Sequence, residues 1–181
     1  MPNTANTIDI RCLCLDVDGV LTDGRVWWDD TGRGARAFHV HDGFGIKCFQ
    51  KLGGIVAICS GKESDAVSAR MTELGIEHVI QGSRDKLADV GQLLSNLKLG
   101  MEHVAMVGDD LPDLPVMRRC ALPIAVANAV TEVKAAARCV TKRSGGEGAV
   151  REAIECVLRE SGRWSEVLGW YGAADVAQEE R

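Results

Sequence analysis

The stretch Leu13-Cys-Leu-Asp-Val-Asp-Gly-Val-Leu-Thr-Asp-Gly24 decides how the chain reads. An apolar run from Ile10 to Val17 has the character of a buried strand, yet Asp16 and Asp18 sit at its end. A carboxylate there is costly unless something pairs with it. Successive strand residues alternate faces, so an i, i+2 pair projects to one side if the chain stays extended. Gly19 then allows a close turn.

Outward from this point the pattern alternates. Arg25 to Val40 holds two runs of strand character around Asp30-Thr31-Gly32, a β-hairpin signal. Asp42 to Leu52 reads as a helix ending at Gly53-Gly54. The apolar runs after Gly54, at His78-Val79-Ile80, at His103 to Gly108 and after Pro123 read as strands. Helices are expected at Glu63 to Leu74, Lys86 to Leu97, Leu114 to Arg119, Thr131 to Ala137 and Glu147 to Glu160. Strand and helix in turn, with short connections and wholly apolar strands, predict an α/β fold. Its sheet is mostly parallel, with helices on both faces. From Ser161 the regular pattern fades, and Trp164, Trp170 and Tyr171 suggest a tail that docks on its own subunit or on a neighbour.

The 181 residues suit one domain, taken as 1–181 with the hairpin at 25–40 and the tail at 161–181. A net charge of −5 argues against a nucleic-acid surface driven by overall charge. The seven cysteines are odd in number and contain no CxxC, so buried free thiols are expected rather than a disulfide framework or zinc site. The N-terminus has no apolar signal-type core, and no run has transmembrane length. A soluble, cytoplasmic protein that acts on neither nucleic acid nor membrane is the expectation.

Polar residues follow successive strands: Asp16 and Asp18, then Ser60 and Lys62, then Asp85 and Lys86, then Asp109, Asp110 and Asp113. In an open α/β sheet these ends share one edge, where ligands bind. Asp16, Asp18, Asp109 and Asp110 brought together would repel, and a hard divalent cation such as Mg²⁺ removes the conflict. The plain alternative makes them caps and turn formers, which competes well for Asp113 and poorly for Asp16. Ser60 to Glu63 fits a capping box. Lys62 and Lys86 are expected in first helical turns, where a cation costs up to about 1 kcal/mol unless an anion binds there. A solvated surface lysine is the alternative for each. Two carboxylates, magnesium and a phosphate pocket point to phosphoryl transfer, with one aspartate attacking phosphorus and the other moving the proton.

DVDGVLTDG, Ser60, Lys86 and GDDLPD, in that order, resemble the four motifs of haloacid-dehalogenase-superfamily phosphatases. FHVHDGFGIK (38–47), QGSRDKL (81–87), GDDLPDLPVM and GGEGAVRE (145–152) resemble the 3-deoxy-D-manno-octulosonate 8-phosphate phosphatase family. That resemblance implies a Rossmann-like core without a cap domain, a hairpin flap, magnesium, and a homotetramer whose hairpins and C-terminal segments close neighbouring sites. It implies Asp16 as nucleophile and metal ligand. Asp18 would be the acid/base and a ligand through its backbone carbonyl. Asp109 would be the third protein ligand, with Asp110 supporting through water. Ser60 and Lys86 would hold the phosphoryl group. His39, Val40, His41, Asp42 and Gly43, with Lys47, Lys62 and Arg70, fall at substrate-contacting positions, Asp18 and Lys86 among them. The family commonly has VRDG where this chain has Val40-His41-Asp42-Gly43, and often GR at Gly61-Lys62. Neither His nor Lys offers a guanidinium fork. The implied activity is hydrolysis of a phosphorylated 2-keto-3-deoxy sugar acid, with a place in lipopolysaccharide biosynthesis. A nonulosonate 9-phosphate phosphatase and a catalytically silent binding module are the alternatives.

Overall fold

The computed structural model describes residues 8–173. β1 (Cys12–Leu15) is followed by a small antiparallel hairpin of β2 (Trp27–Trp28) and β3 (Gly34–Ala35). Then come α1 (Val40–Lys51), β4 (Ile55–Cys59), α2 (Asp65–Glu73), β5 (His78–Ile80), α3 (Lys86–Leu97) and β6 (Val104–Gly108). The chain ends through α4 (Leu114–Met117), β7 (Leu122–Ala125), α5 (Thr131–Ala136), β8 (Cys139–Val140), α6 (Ala149–Glu160) and α7 (Trp164–Trp170).

Six strands form one parallel sheet in the order β5-β4-β1-β6-β7-β8. The connections run outward from β1 to one side, then reverse and run to the other. This places a topological switch point between β1 and β6, the usual ligand crevice of such sheets. Helices cover both faces, which is why Leu13, Leu15, Ile58, Met106 and Ile124 are wholly buried on apolar strands. The seven cysteines are free thiols. No helix among the described residues is long and apolar enough to cross a membrane.

Several local expectations shift. The hairpin strands are only two residues each, and Asp29 organises the turn rather than Asp30: its Oδ1 accepts from the N–H groups of Thr31 and Arg33. β8 is a further strand, added at the sheet edge by a two-residue run too short to announce itself. The tail is not irregular. Within its described part, α7 lays buried Trp164 and Val167 inward, and Lys51 Nζ stands 3.9 Å over the Trp170 ring. It therefore docks on its own chain up to Ala173. The tail's last residues, 174–181, lie outside the described residues.

Candidate active site

Sheet register explains why the acids meet. Leu15 pairs with Ile58 on one side and Val107 on the other. One step on, Asp16 still follows the sheet, its N–H donating to Val107 O at 3.1 Å. Ser60 and Asp109 emerge just beyond β4 and β6 at the same rim. Asp16, Asp18, Ser60, Lys62, Arg84, Lys86, Asp109 and Asp110 all line a single cleft of about 820 Å³. The opening stretch thus ends in a cleft wall, not in the core.

Lys86 is the hub. It opens α3, whose N-cap is Asp85, and its side chain is buried. Nζ lies 2.9 Å from Asp16 Oδ1 and 2.7 Å from Asp113 Oδ1. Burial opposes its charge, but the two carboxylates outweigh that and raise its pKa. Asp113, fully buried, turns its other oxygen to the N–H groups of Asp109 (3.0 Å) and Asp110 (3.3 Å). The sequence places it at this rim but assigns it no site role, because an acid three residues past GDD reads equally well as a helix cap. It does close a capping box with Asp110, and holds Lys86 as well.

The acids crowd each other. Ligand oxygens of Asp16, Asp109 and Asp113 lie within 4.8 Å of one another. Burial, reinforced by Asp16 and Asp113, pushes the Asp109 carboxyl up to about 8. Burial and Asp113 raise Asp16 too, against the pull of Lys86. Asp109 Oδ1 is buried with no hydrogen-bond partner. An unpaired carboxylate oxygen among mutually repelling oxygens fits a hard divalent cation. Gly19, at φ +97°, lets the motif loop pass this group, since a Cβ there would run into the Asp109 carboxylate.

Asp18 lies two residues further along and is gripped by the hairpin. Arg36 Nε donates to its Oδ1 at 2.6 Å and Nη2 to its Oδ2 at 3.3 Å, while Nη1 reaches Ser64 Oγ at 2.7 Å. Nothing in the sequence pattern marks Arg36, because its partners are 18 and 28 residues away. Asp110 is exposed, and its Oδ1 accepts from the Leu111 N–H at 2.8 Å rather than joining the oxygen cluster.

The expected capping box at Ser60 is not formed. Ser60 N–H still donates to Ile80 O as an extension of the sheet, so the helix cannot begin there. Ser64 takes the N-cap position of α2, and Lys62 lies in the preceding loop, exposed, rather than in a first turn. Ser60 is buried at the cleft floor, where its Oγ accepts a long 3.4 Å bond from the Lys62 N–H.

A family model of haloacid dehalogenase-like hydrolases matches residues 76–154. Over 165 residues the chain is 42% identical to the 3-deoxy-D-manno-octulosonate 8-phosphate phosphatase KdsC of Escherichia coli strain K12, covering 91% of this chain and 88% of that protein. The chain belongs to this phosphatase family. A probable YrbI family phosphatase from Pseudomonas syringae superposes with a TM-score of 0.88 at 45% identity, covering 91% of this chain and 94% of that one. The 3-deoxy-D-manno-octulosonate 8-phosphate phosphatase of Moraxella catarrhalis, solved with magnesium, phosphate and KDO, gives a TM-score of 0.88 at 36% identity, covering 91% and 95%.

The other positions at which the resemblance implies substrate contacts do not line this chain's own cleft. His39 caps α1, its Nδ1 accepting from the His41 N–H, and Val40 and His41 are exposed at the start of that helix. Asp42 is buried and accepts from the Arg151 N–H at 2.8 Å, which ties α1 to the first turn of α6. Gly43 makes room for Arg70, whose Nη1 pairs with Glu73 at 2.8 Å. Lys47 Nζ donates to Leu74 O at 2.6 Å. Of the expected substrate-binding set, the cleft itself holds Asp18, Lys62 and Lys86.

Proposed function

We propose that this chain hydrolyses 3-deoxy-D-manno-octulosonate 8-phosphate to the free sugar acid and inorganic phosphate. The observation that carries the reading is the Asp16 carboxylate, set at a strand end in an open cleft with Lys86 Nζ at 2.9 Å. Membership of a family whose relatives carry this activity supports the same substrate class.

In the first step an Asp16 oxygen attacks phosphorus, and the bond from phosphorus to the ester oxygen breaks. Asp18 gives its proton to the departing alcohol. In the second step Asp18, now ionised, takes a proton from water as that water attacks phosphorus; the bond from phosphorus to the Asp16 oxygen breaks, freeing inorganic phosphate and restoring the carboxylate. Ser60 O–H and Lys86 hold the phosphoryl oxygens as they turn outward in flight. Asp113 keeps Lys86 placed and charged. Asp16 and Asp109, with the Asp18 backbone carbonyl and Asp110 through water, would hold magnesium. When bound, the ion offsets carboxylate repulsion and polarises the phosphoryl group.

His39 to Gly43, Lys47 and Arg70 lie away from the chain's own cleft, which favours a role at a neighbouring copy's site. The reading therefore includes a homotetramer of single-domain, cytoplasmic subunits, each closing another's cleft with its hairpin and C-terminal segment. Steady-state phosphate release tests the activity, on a panel of 3-deoxy-D-manno-octulosonate 8-phosphate, nonulosonate 9-phosphates and simple aryl phosphates, with and without magnesium. Magnesium-dependent preference for the eight-carbon acid is expected. Equal turnover of aryl phosphates and neither sugar acid would overturn it.

A further inference from the structure

We infer that Arg84 is a specificity-determining residue that engages the carboxylate of the substrate. The inference rests on the proposed function and concerns the same cleft.

A sugar-acid phosphate carries two anionic ends. The phosphoryl end belongs at Asp16, Ser60 and Lys86. The other end needs a cation away from the acid cluster of Asp16, Asp18, Asp109 and Asp110. Lys86 is committed to the phosphoryl end, its ammonium set between Asp16 and Asp113. Lys47 and Arg70, which a neighbouring copy would bring, are already engaged, Lys47 Nζ with Leu74 O at 2.6 Å and Arg70 Nη1 with Glu73 at 2.8 Å. The remaining cations that line this chain's cleft among the described residues are Lys62 and Arg84, both exposed. Neither side chain has an ion-pair or hydrogen-bond partner among the described residues. Of the two, only Arg84 presents a planar fork that matches a carboxylate bidentately.

Its backbone is well anchored. On one side, Ser83 N–H donates to Ser60 O at 3.0 Å and Ser83 Oγ to Asp89 Oδ2 at 2.6 Å. On the other, Asp85 Oδ1 accepts from the Ala88 N–H at 3.1 Å and caps α3. The first of these bonds also joins the Arg84 loop to the Ser60–Lys62 loop. Two cations with no partner are thus held on adjoining loops, beside the start of a twelve-residue helix. An uncompensated cation at a helix N-terminus is mildly unfavourable, and a bound anion reverses that sign.

The test compares the full-length enzyme with Arg84→Ala and Arg84→Lys in magnesium buffer. Two substrates are used: 3-deoxy-D-manno-octulosonate 8-phosphate, and mannose 6-phosphate, which lacks a carboxylate. For Arg84→Ala the kcat/KM ratio of the sugar acid to mannose 6-phosphate should fall about tenfold, the worth of one charge-assisted hydrogen bond. The loss should appear in KM, and Arg84→Lys should recover only part of it. A ratio unchanged in Arg84→Ala, because both substrates weaken together or neither does, overturns the assignment of Arg84 alone. A wild-type enzyme that prefers mannose 6-phosphate overturns the functional reading itself, and Arg84's part with it.

Discussion

Removing the Asp113 carboxylate should destabilise the protein and slow it together. The side chain is fully buried and makes three bonds, from Lys86 Nζ at 2.7 Å and from the N–H groups of Asp109 and Asp110 at 3.0 and 3.3 Å. Breaking a buried ion pair costs about 3–5 kcal/mol. Asp16 stays 2.9 Å from Lys86, so the ammonium keeps a partner, and the repulsion felt by Asp109 and Asp16 eases. Both effects favour the low end. Two N–H groups losing their acceptor add about 1 kcal/mol each. The net for Asp113→Ala is about 5 kcal/mol, or roughly 10–20 °C in Tm for a chain of this length. Asp113→Asn keeps an acceptor oxygen and should lose about half as much. Urea unfolding and thermal melts without magnesium give the stability, and phosphate release gives kcat. The rate should fall at least about tenfold, because Lys86 would then bind Asp16 alone and hold the nucleophile back. An Asp113→Ala protein within about 1 kcal/mol of wild type, with full activity, would refute this reasoning.

Arg36→Ala should release the hairpin from Asp18 and Ser64. A nearly buried two-point ion pair of about 1.5–3 kcal/mol is lost, so limited proteolysis within residues 25–36 should speed up about tenfold or more. Unchanged cleavage would mean that other contacts hold the flap. Gly19→Ala places a methyl against the Asp109 carboxylate at positive φ, so it should cost about 1–3 kcal/mol and abolish magnesium-stimulated turnover. Magnesium should stabilise more as pH rises. The folded-state pKa of Asp109 is raised from 3.8 to about 8, so in the metal-free protein this group's contribution to stability declines as pH climbs through that window. Metal needs the ionised form, so the gain in Tm at fixed magnesium should grow from about pH 6 to about pH 8.5. Thermal melts in paired buffers check this, and a gain that shrinks with pH would contradict it.

Much of the architecture is readable because buried parallel strands flanked by amphipathic helices leave a plain pattern. His78–Ile80 and Lys86–Leu97 fall where the periodicity puts them. Asp16, Ser60, Lys86 and Asp109 could be named because polar side chains just past apolar strands stand out. What the sequence hid depends on partners far apart along the chain. Ser60 and Ser64 are both good caps by composition, and the Ser60 N–H bond to Ile80 O decides between them. Arg36 and Asp113 gain their meaning from Asp18 and Lys86, which only the folded chain brings near. The short helix α7 offers seven residues, too few for a helical period to show. Asp42 sat within a recognisable motif, yet its carboxylate serves α6 in this chain.

The central claim is that Asp16 becomes phosphorylated during turnover. Sodium borohydride reduces an acyl-phosphate to an alcohol, so quenching the enzyme with it in the presence of magnesium and 3-deoxy-D-manno-octulosonate 8-phosphate should convert Asp16 to homoserine. Peptide mass spectrometry should find that change at position 16, dependent on substrate and absent without it. Ongoing phosphate release with an unmodified Asp16, or with the modification at another carboxylate, would contradict the account.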